Sequence, residues 1–111
     1  MSEAKQLEEQ LANARLLSGK RQKMLKLLEN PEYKELIVND FSRDECARYV
    51  QASADPMLSP TERADALAIA QAAGHLKRWT AVILQMGYTA ERDMEAVEDA
   101  LIAARAEEAG E

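Results

Sequence analysis

The side chains that most often perform acid–base or nucleophilic chemistry are scarce in this chain. There is one histidine, His75, and one cysteine, Cys46, among 111 residues. A catalytic His75 would need a nucleophile or an orienting acid beside it, and neighbouring Lys77 and Arg78 supply neither. Cys46 follows Glu45 on the expected inner side of a short helix, and it would need that histidine brought to it. We therefore expect a structural histidine on a helix surface and a small buried cysteine.

Four carboxylates near the C-terminus have helical spacing and could bind a metal ion or exchange protons. They are Glu91, Glu95, Glu98 and Asp99. Such chemistry needs carboxylates inside a cleft, whereas these flank an apolar stripe, so a solvated or salt-bridging helix face is expected. The sequence has no Gly-rich phosphate loop, nucleophile motif or metal-ligand spacing. It predicts a protein that is not an enzyme and has no catalytic, metal or cofactor-binding residues.

Basic residues cluster in the first third of the chain and could contact phosphate. They are Lys20, Arg21, Lys23 and Lys26. The cluster has no adjacent aromatic side chain, and the chain has a formal net charge of −6. Because binding to phosphate needs a predominantly basic face, nucleic acid is not expected as a partner. The cluster is expected to pair with the acidic C-terminal helix, and a packaging factor that binds nucleic acid through residues 20–26 is a third hypothesis.

The second half of the chain has an apolar or small residue at every seventh position. The two lines of this stripe are Ile69, Leu76, Ile83, Ala90, Val97 and Ala104, and Ala73, Thr80, Gly87, Met94 and Leu101. A seven-residue repeat predicts a helix whose stripe is covered by another helix. The segment Ser59-Pro60-Thr61-Glu62 has the pattern of a helix start. We predict one long helix over 59–108 with a kink near Gly87, and two helices are the open alternative.

The remaining segments also have helical patterns. A first helix is predicted over 1–29, and Asn30-Pro31 ends it and starts the next. A turn at Asp40-Phe41-Ser42, with Ser42 and Glu45 as a capping box, divides 31–53 into two short helices. The predicted fold is all-α, with one domain over 1–111. It is a helical hairpin or small bundle with a long C-terminal helix, two short middle helices and coiled-coil-like packing.

The apolar stripe also predicts where another protein would bind. Trp79 lies beside the stripe, so it either seals the edge of the core or anchors a partner, since tryptophan is enriched at binding hot spots. The predicted interface residues are Ile69, Leu76, Trp79, Ile83, Met86, Met94, Val97 and Leu101.

The start of the chain, Met1-Ser2-Glu3-Ala4-Lys5, is polar and does not resemble a signal peptide. No apolar run approaches the roughly 20 residues that span a bilayer, and a lone cysteine suits a reducing compartment. A cytoplasmic protein without membrane contact is expected.

Three short segments follow one another along the chain: Glu29-Asn30-Pro31-Glu32-Tyr33-Lys34-Glu35-Leu36-Ile37, Ala54-Asp55-Pro56 and Ile83-Leu84-Gln85-Met86-Gly87. In this order they resemble a group of small, acidic, helical proteins encoded by tailed bacteriophages, and the likeness covers residues 20–90. The resemblance implies a phage context, in the host cytoplasm or the virion. Small helical proteins serve there as capsid or assembly accessories or as inhibitors of host proteins.

Together these observations predict a protein that works by protein–protein association. The favoured hypothesis is a phage particle or assembly accessory that forms a homo-oligomer through the stripe at 69–104 and contacts another phage or host protein. The alternative is an acidic inhibitor of a host or defence protein that mimics nucleic acid.

Overall fold

The computed structural model of this chain describes residues 2–110. All regular structure in that range is helical, which confirms the predicted all-α fold. The elements are α1 (Glu3–Glu29), α2 (Pro31–Tyr33), the wider helix π1 (Lys34–Glu45), α3 (Cys46–Ser53), α4 (Pro60–Ala70) and α5 (Ala72–Ala109).

The chain divides into two compact units. The terminal unit combines the residues up to Leu25 with those from Val82 onward, and the middle unit consists of Lys26–Ala81. Helices α1 and α5 each contribute residues to both units. The single domain expected from the sequence stays a prediction.

The terminal unit is an antiparallel hairpin of α1 and α5, in which α1 is the covering helix that the seven-residue repeat predicts. The Ala4 amide donates to the Glu108 carboxylate near one end of the hairpin (3.3 Å). Further along, the Ser18 hydroxyl donates to the Glu91 carboxylate (2.9 Å). The hairpin core consists of buried Ala4, Leu11, Leu101 and Ala104, with Leu7, Met94 and Val97 packed against them. Helix α1 therefore covers the stripe of α5 within this unit.

In the middle unit, the predicted turn at 40–42 is wrong. The chain stays helical from Pro31 to Ser53 because it widens instead of turning: π1 has bonds such as that from the Cys46 amide to the Phe41 carbonyl, five residues earlier. Ser42 lies inside this helix and accepts no capping hydrogen bond among the described residues.

Two predicted helix starts are confirmed. The Asn30 side-chain oxygen accepts hydrogen bonds from the amides of Glu32 (2.9 Å) and Tyr33 (3.0 Å). Ser59 and Glu62 form a reciprocal capping box, with both side-chain to backbone distances at 3.1 Å. These bonds satisfy amides that have no partner within the first turn of a helix.

The unbroken helix expected over 59–108 is interrupted, but at Gln71 and not at Gly87. The Gly74 amide bonds back to the Gln71 carbonyl, three residues earlier (3.1 Å), so the turn tightens there. The Cys46 thiol on α3 donates to the Ile69 carbonyl on α4 (3.6 Å), next to the interruption. Cys46 is 3% exposed and thus buried as predicted. This side-chain bond joins α3 to α4 beside the interruption, which the seven-residue repeat itself does not show.

Candidate interaction site

In the terminal unit, α1 and α5 are in close contact at Gly87. A Cβ at this position would collide with the Arg21 Cβ and lie 2.8 Å from the Leu17 carbonyl oxygen. Helix α5 runs through Gly87 without interruption, and the residue is buried. The glycine therefore permits the close approach of α1; the helix is not broken at this position, and the kink stays a prediction.

One turn beyond Gly87, three donors of α1 converge on the carboxylate of Glu91. The donors are Ser18 Oγ (2.9 Å), Arg21 Nη1 (3.2 Å) and Gln22 Nε2 (2.8 Å). The hydrogen bonds from Gln22 and Ser18 lower the pKa of the Glu91 carboxyl; desolvation opposes them, and the Arg21 charge adds to the lowering. This cluster holds the two helices in one register because its donors occupy successive turns of a single face of α1.

Two more exposed ion pairs join α1 to α5 toward the chain ends. Arg105 lies 2.9 Å from Glu8, and Arg15 lies 4.0 Å from Glu98. Their side chains are about half exposed or more, and exposed pairs of this kind contribute about 0–1 kcal/mol each. Their main effect is therefore on the alignment of α1 with α5, because their contribution to the free energy of unfolding is small.

An open groove of about 390 Å³ follows the seam between α1 and α5 in the terminal unit. We call it the hairpin groove; it is lined by Gln10, Asn13, Ala14, Leu17, Gln85, Met86, Thr89, Ala90, Asp93 and Val97. Its lining is mostly apolar, and Met86 is 46% exposed. The groove could accommodate a further helix, since its walls are helices whose lining residues are three and four positions apart.

The predicted interface residues fall into three groups. Leu101 is in the hairpin core, and Met94 and Val97 pack against it. Leu76 and Ile83 are half-buried, whereas Ile69, Met86 and Trp79 are exposed. Only Met86 and Val97 of the eight line the hairpin groove.

The sequence prediction missed the α1 wall of this groove. Gln10, Asn13, Ala14 and Leu17 lie three and four residues apart and form one wall. The apolar residues Leu7, Leu11 and Ala14 are spaced by four and three positions in the sequence of the first helix. Leu17 falls outside this spacing, and the side chains of Gln10 and Asn13 are polar. The available signal was that Leu17 follows Ala14 by three positions and so extends the same apolar face at its edge.

The middle unit contains a second open groove, of about 450 Å³. Its residues come from π1, the start of α5 and the segment before π1: Leu28, Tyr33, Val38, Ser42, Arg43, Ala73, Gly74, Leu76, Lys77 and Thr80. Arg43 is paired with the adjacent Asp44 (2.7 Å), which leaves Lys77 as the lining cation without an ion pair among the described residues. The groove is mainly apolar, with little charge to select an occupant.

His75 is exposed, as expected, and lies with Ala70, Gln71 and Gly74 on a shallow, open depression. Across residues 2–110, no group of three or more His, Cys, Asp or Glu side chains is arranged to hold a metal ion. No helix in this range is long and apolar enough to cross a membrane.

Comparison with protein-family models, with curated proteins and with solved structures finds no match to this chain.

Proposed function

We propose that this protein is a non-enzymatic association protein that forms a homo-oligomer through its helices. The hairpin groove is the observation that supports the proposal, because a two-helix hairpin has placed an apolar seam where a further helix can pack. The resemblance to small phage proteins supports the role of a particle or assembly accessory, which would also contact another phage or host protein.

The small core of the hairpin supports the same proposal. Its four buried members include two alanines, Ala4 and Ala104, and an alanine buries little apolar area. A helical hairpin of this kind ordinarily completes its core by packing on further helices. Met86 remains 46% exposed, and covering it would bury additional apolar surface.

The test is the oligomeric state of the purified chain, measured by light scattering coupled to size exclusion. The wild-type chain is expected to form a defined homo-oligomer. Met86→Glu should weaken it about tenfold or more, since burying a methionine contributes about 1.5–3 kcal/mol and each factor of ten corresponds to about 1.4 kcal/mol.

Ile102→Glu is the matched control, since Ile102 is also an apolar residue of α5, is 66% exposed and lies outside the groove. It should leave the oligomer intact, and circular dichroism should show unchanged helicity in both variants. A wild-type chain that stays monomeric at high concentration would contradict the proposal.

That monomeric outcome would favour the alternative, an acidic inhibitor that mimics nucleic acid. Residues 82–110 contain seven acidic and two basic side chains. Glu95, Asp99 and Glu107 are exposed and make no ion pair with any described residue. A row of free carboxylates could occupy a basic groove on another protein.

A further inference from the structure

We infer that the occupant of the hairpin groove is the same groove of a second copy, with α1 of each copy against α5 of the other. This inference rests on the proposed function and specifies its partner and geometry. The two hairpins would then form a four-helix bundle in which neighbouring helices are antiparallel.

The first support is the opposite charge of the two helices. Within the terminal unit, residues 2–25 contain five basic and three acidic side chains, and residues 82–110 contain two basic and seven acidic ones. Packing α1 against the α5 of a second copy alternates the sign of charge around the bundle. Packing α5 against α5 would instead bring two strongly acidic helices together.

The second support is the polar chemistry of the groove walls. Asp93, on α5, is the one ionisable residue among the ten that line the groove. Gln10 and Asn13, on the α1 wall, have amide groups that donate hydrogen bonds. The Asp93 carboxylate is paired with the adjacent Arg92 (3.1 Å) and can accept further hydrogen bonds. When α1 faces the α5 of a second copy, amide donors oppose this carboxylate; when α5 faces α5, both walls present the same acidic residue.

A two-fold arrangement places helices of opposite charge together and also places amide donors opposite the Asp93 carboxylate. It does so because each copy presents one α1 wall and one α5 wall. Such an interface closes at two copies and leaves neither groove open. Its apolar centre consists of Ala14, Leu17, Met86, Ala90 and Val97, and alanines there let helices approach closely.

The geometry can be tested by cross-linking at positions that lie level with each other. A Cβ at Gly87 would meet the Arg21 Cβ, so these two positions are level with each other. Eight residues back along α1 and eight forward along the antiparallel α5, Asn13 is level with Glu95, which adjoins Ala96. Ala96 is exposed and follows Thr89, a residue that lines the groove, by seven positions, which puts it on the groove side of α5.

In a Cys46→Ala background, chains with Asn13→Cys and chains with Ala96→Cys are mixed and treated with a short bismaleimide. We expect mixed Asn13–Ala96 products to form severalfold faster than products between two chains of either kind. Predominant Asn13–Asn13 or Ala96–Ala96 products would overturn the inference but leave self-association standing. A monomeric wild-type chain would overturn both.

A second measurement needs no cysteine variant. Asn13→Lys should strengthen the dimer severalfold because the ammonium group would face the acidic α5 of the second copy, whereas Asn13→Asp should weaken it by a similar factor. If α1 faced α1, both substitutions would juxtapose like charges and both would weaken the dimer. Equal weakening in analytical ultracentrifugation would therefore overturn the inference.

Discussion

The role of Gly87 in the structure differs from the role that its sequence context suggests. From the sequence, a glycine inside a helix suggests a weak point, since it costs about 1 kcal/mol relative to alanine. In the structure the helix continues through Gly87, and the missing side chain makes room for the Leu17 carbonyl and the Arg21 side chain. Whether such a glycine is a weak point in its helix or makes room for a neighbouring helix depends on what packs against it. The local sequence does not show that neighbour.

Gly87→Ala is expected to lower the free energy of unfolding by about 1–3 kcal/mol, the usual cost of forcing extra atoms into a packed site. Urea denaturation followed by circular dichroism measures the change. Gly19→Ala is the control, because a Cβ there would have nothing within 4 Å; it should stabilise α1 by up to about 1 kcal/mol. A Gly87→Ala variant as stable as the wild type would contradict the close approach of the two helices.

At the scale of the elements, a serine followed by a glutamate three residues later predicts a helix start at two places in the chain, and only one of them is a helix start in the structure. Ser59 and Glu62 form the capping box that their sequence predicts, helped by Pro60 at the first helical position. Ser42 and Glu45 have the same spacing but lie within a continuous helical run. The pattern is sufficient only where the preceding chain has left the helix, as it has between the end of α3 at Ser53 and Ser59.

Ser59→Ala is expected to lower the free energy of unfolding by about 1 kcal/mol, because the Glu62 amide loses its side-chain acceptor. Ser42→Ala, the same substitution without a cap to lose, should change it by less than about 0.5 kcal/mol. Equal losses in the two variants, measured by thermal or urea unfolding, would indicate that a helix does begin at Ser42.

At the scale of the whole molecule, the dominant electrostatic property is acidity, with a sequence pI of about 4.9. Several carboxyls have a pKa below the ordinary value because of local partners: the Ser59 backbone and side chain lower the pKa of Glu62, Arg43 lowers that of Asp44, and Gln22 and Ser18 lower that of Glu91. Folding therefore favours the ionised forms of these groups.

Stability should consequently fall in acid. A carboxyl whose pKa is lower in the folded protein contributes fully above its unfolded pKa, 4.5 for glutamate, and loses that contribution as the pH drops through the folded pKa. The midpoint of urea unfolding should therefore decrease below about pH 4.5, and less steeply in Glu91→Gln. Glu95→Gln, which removes a carboxyl with no hydrogen bond or ion pair among the described residues, is the control and should retain the wild-type slope.

The sequence predicted the packing of the hairpin well, but it did not predict the α1 wall of the hairpin groove. The repeat through Met94 and Leu101 correctly predicted a covered stripe, because burial at that spacing requires a helical partner. The interruption at Gln71 leaves the seven-residue repeat in phase, so the repeat does not reveal it. The continuous helix over 31–53 depends on a wider helical geometry, which Asp40-Phe41-Ser42 does not signal because it has the composition of an ordinary turn.

The convergence of three donors on Glu91 has an asymmetric consequence for tolerance to mutation. Loss of Ser18, Arg21 or Gln22 leaves two remaining donors for the same acceptor, so the effect of each single substitution is buffered by the others. Substitution of Glu91 removes the acceptor of all three donors at once. Genetic variation should therefore be accepted one donor at a time on α1 and resisted at a single position on α5.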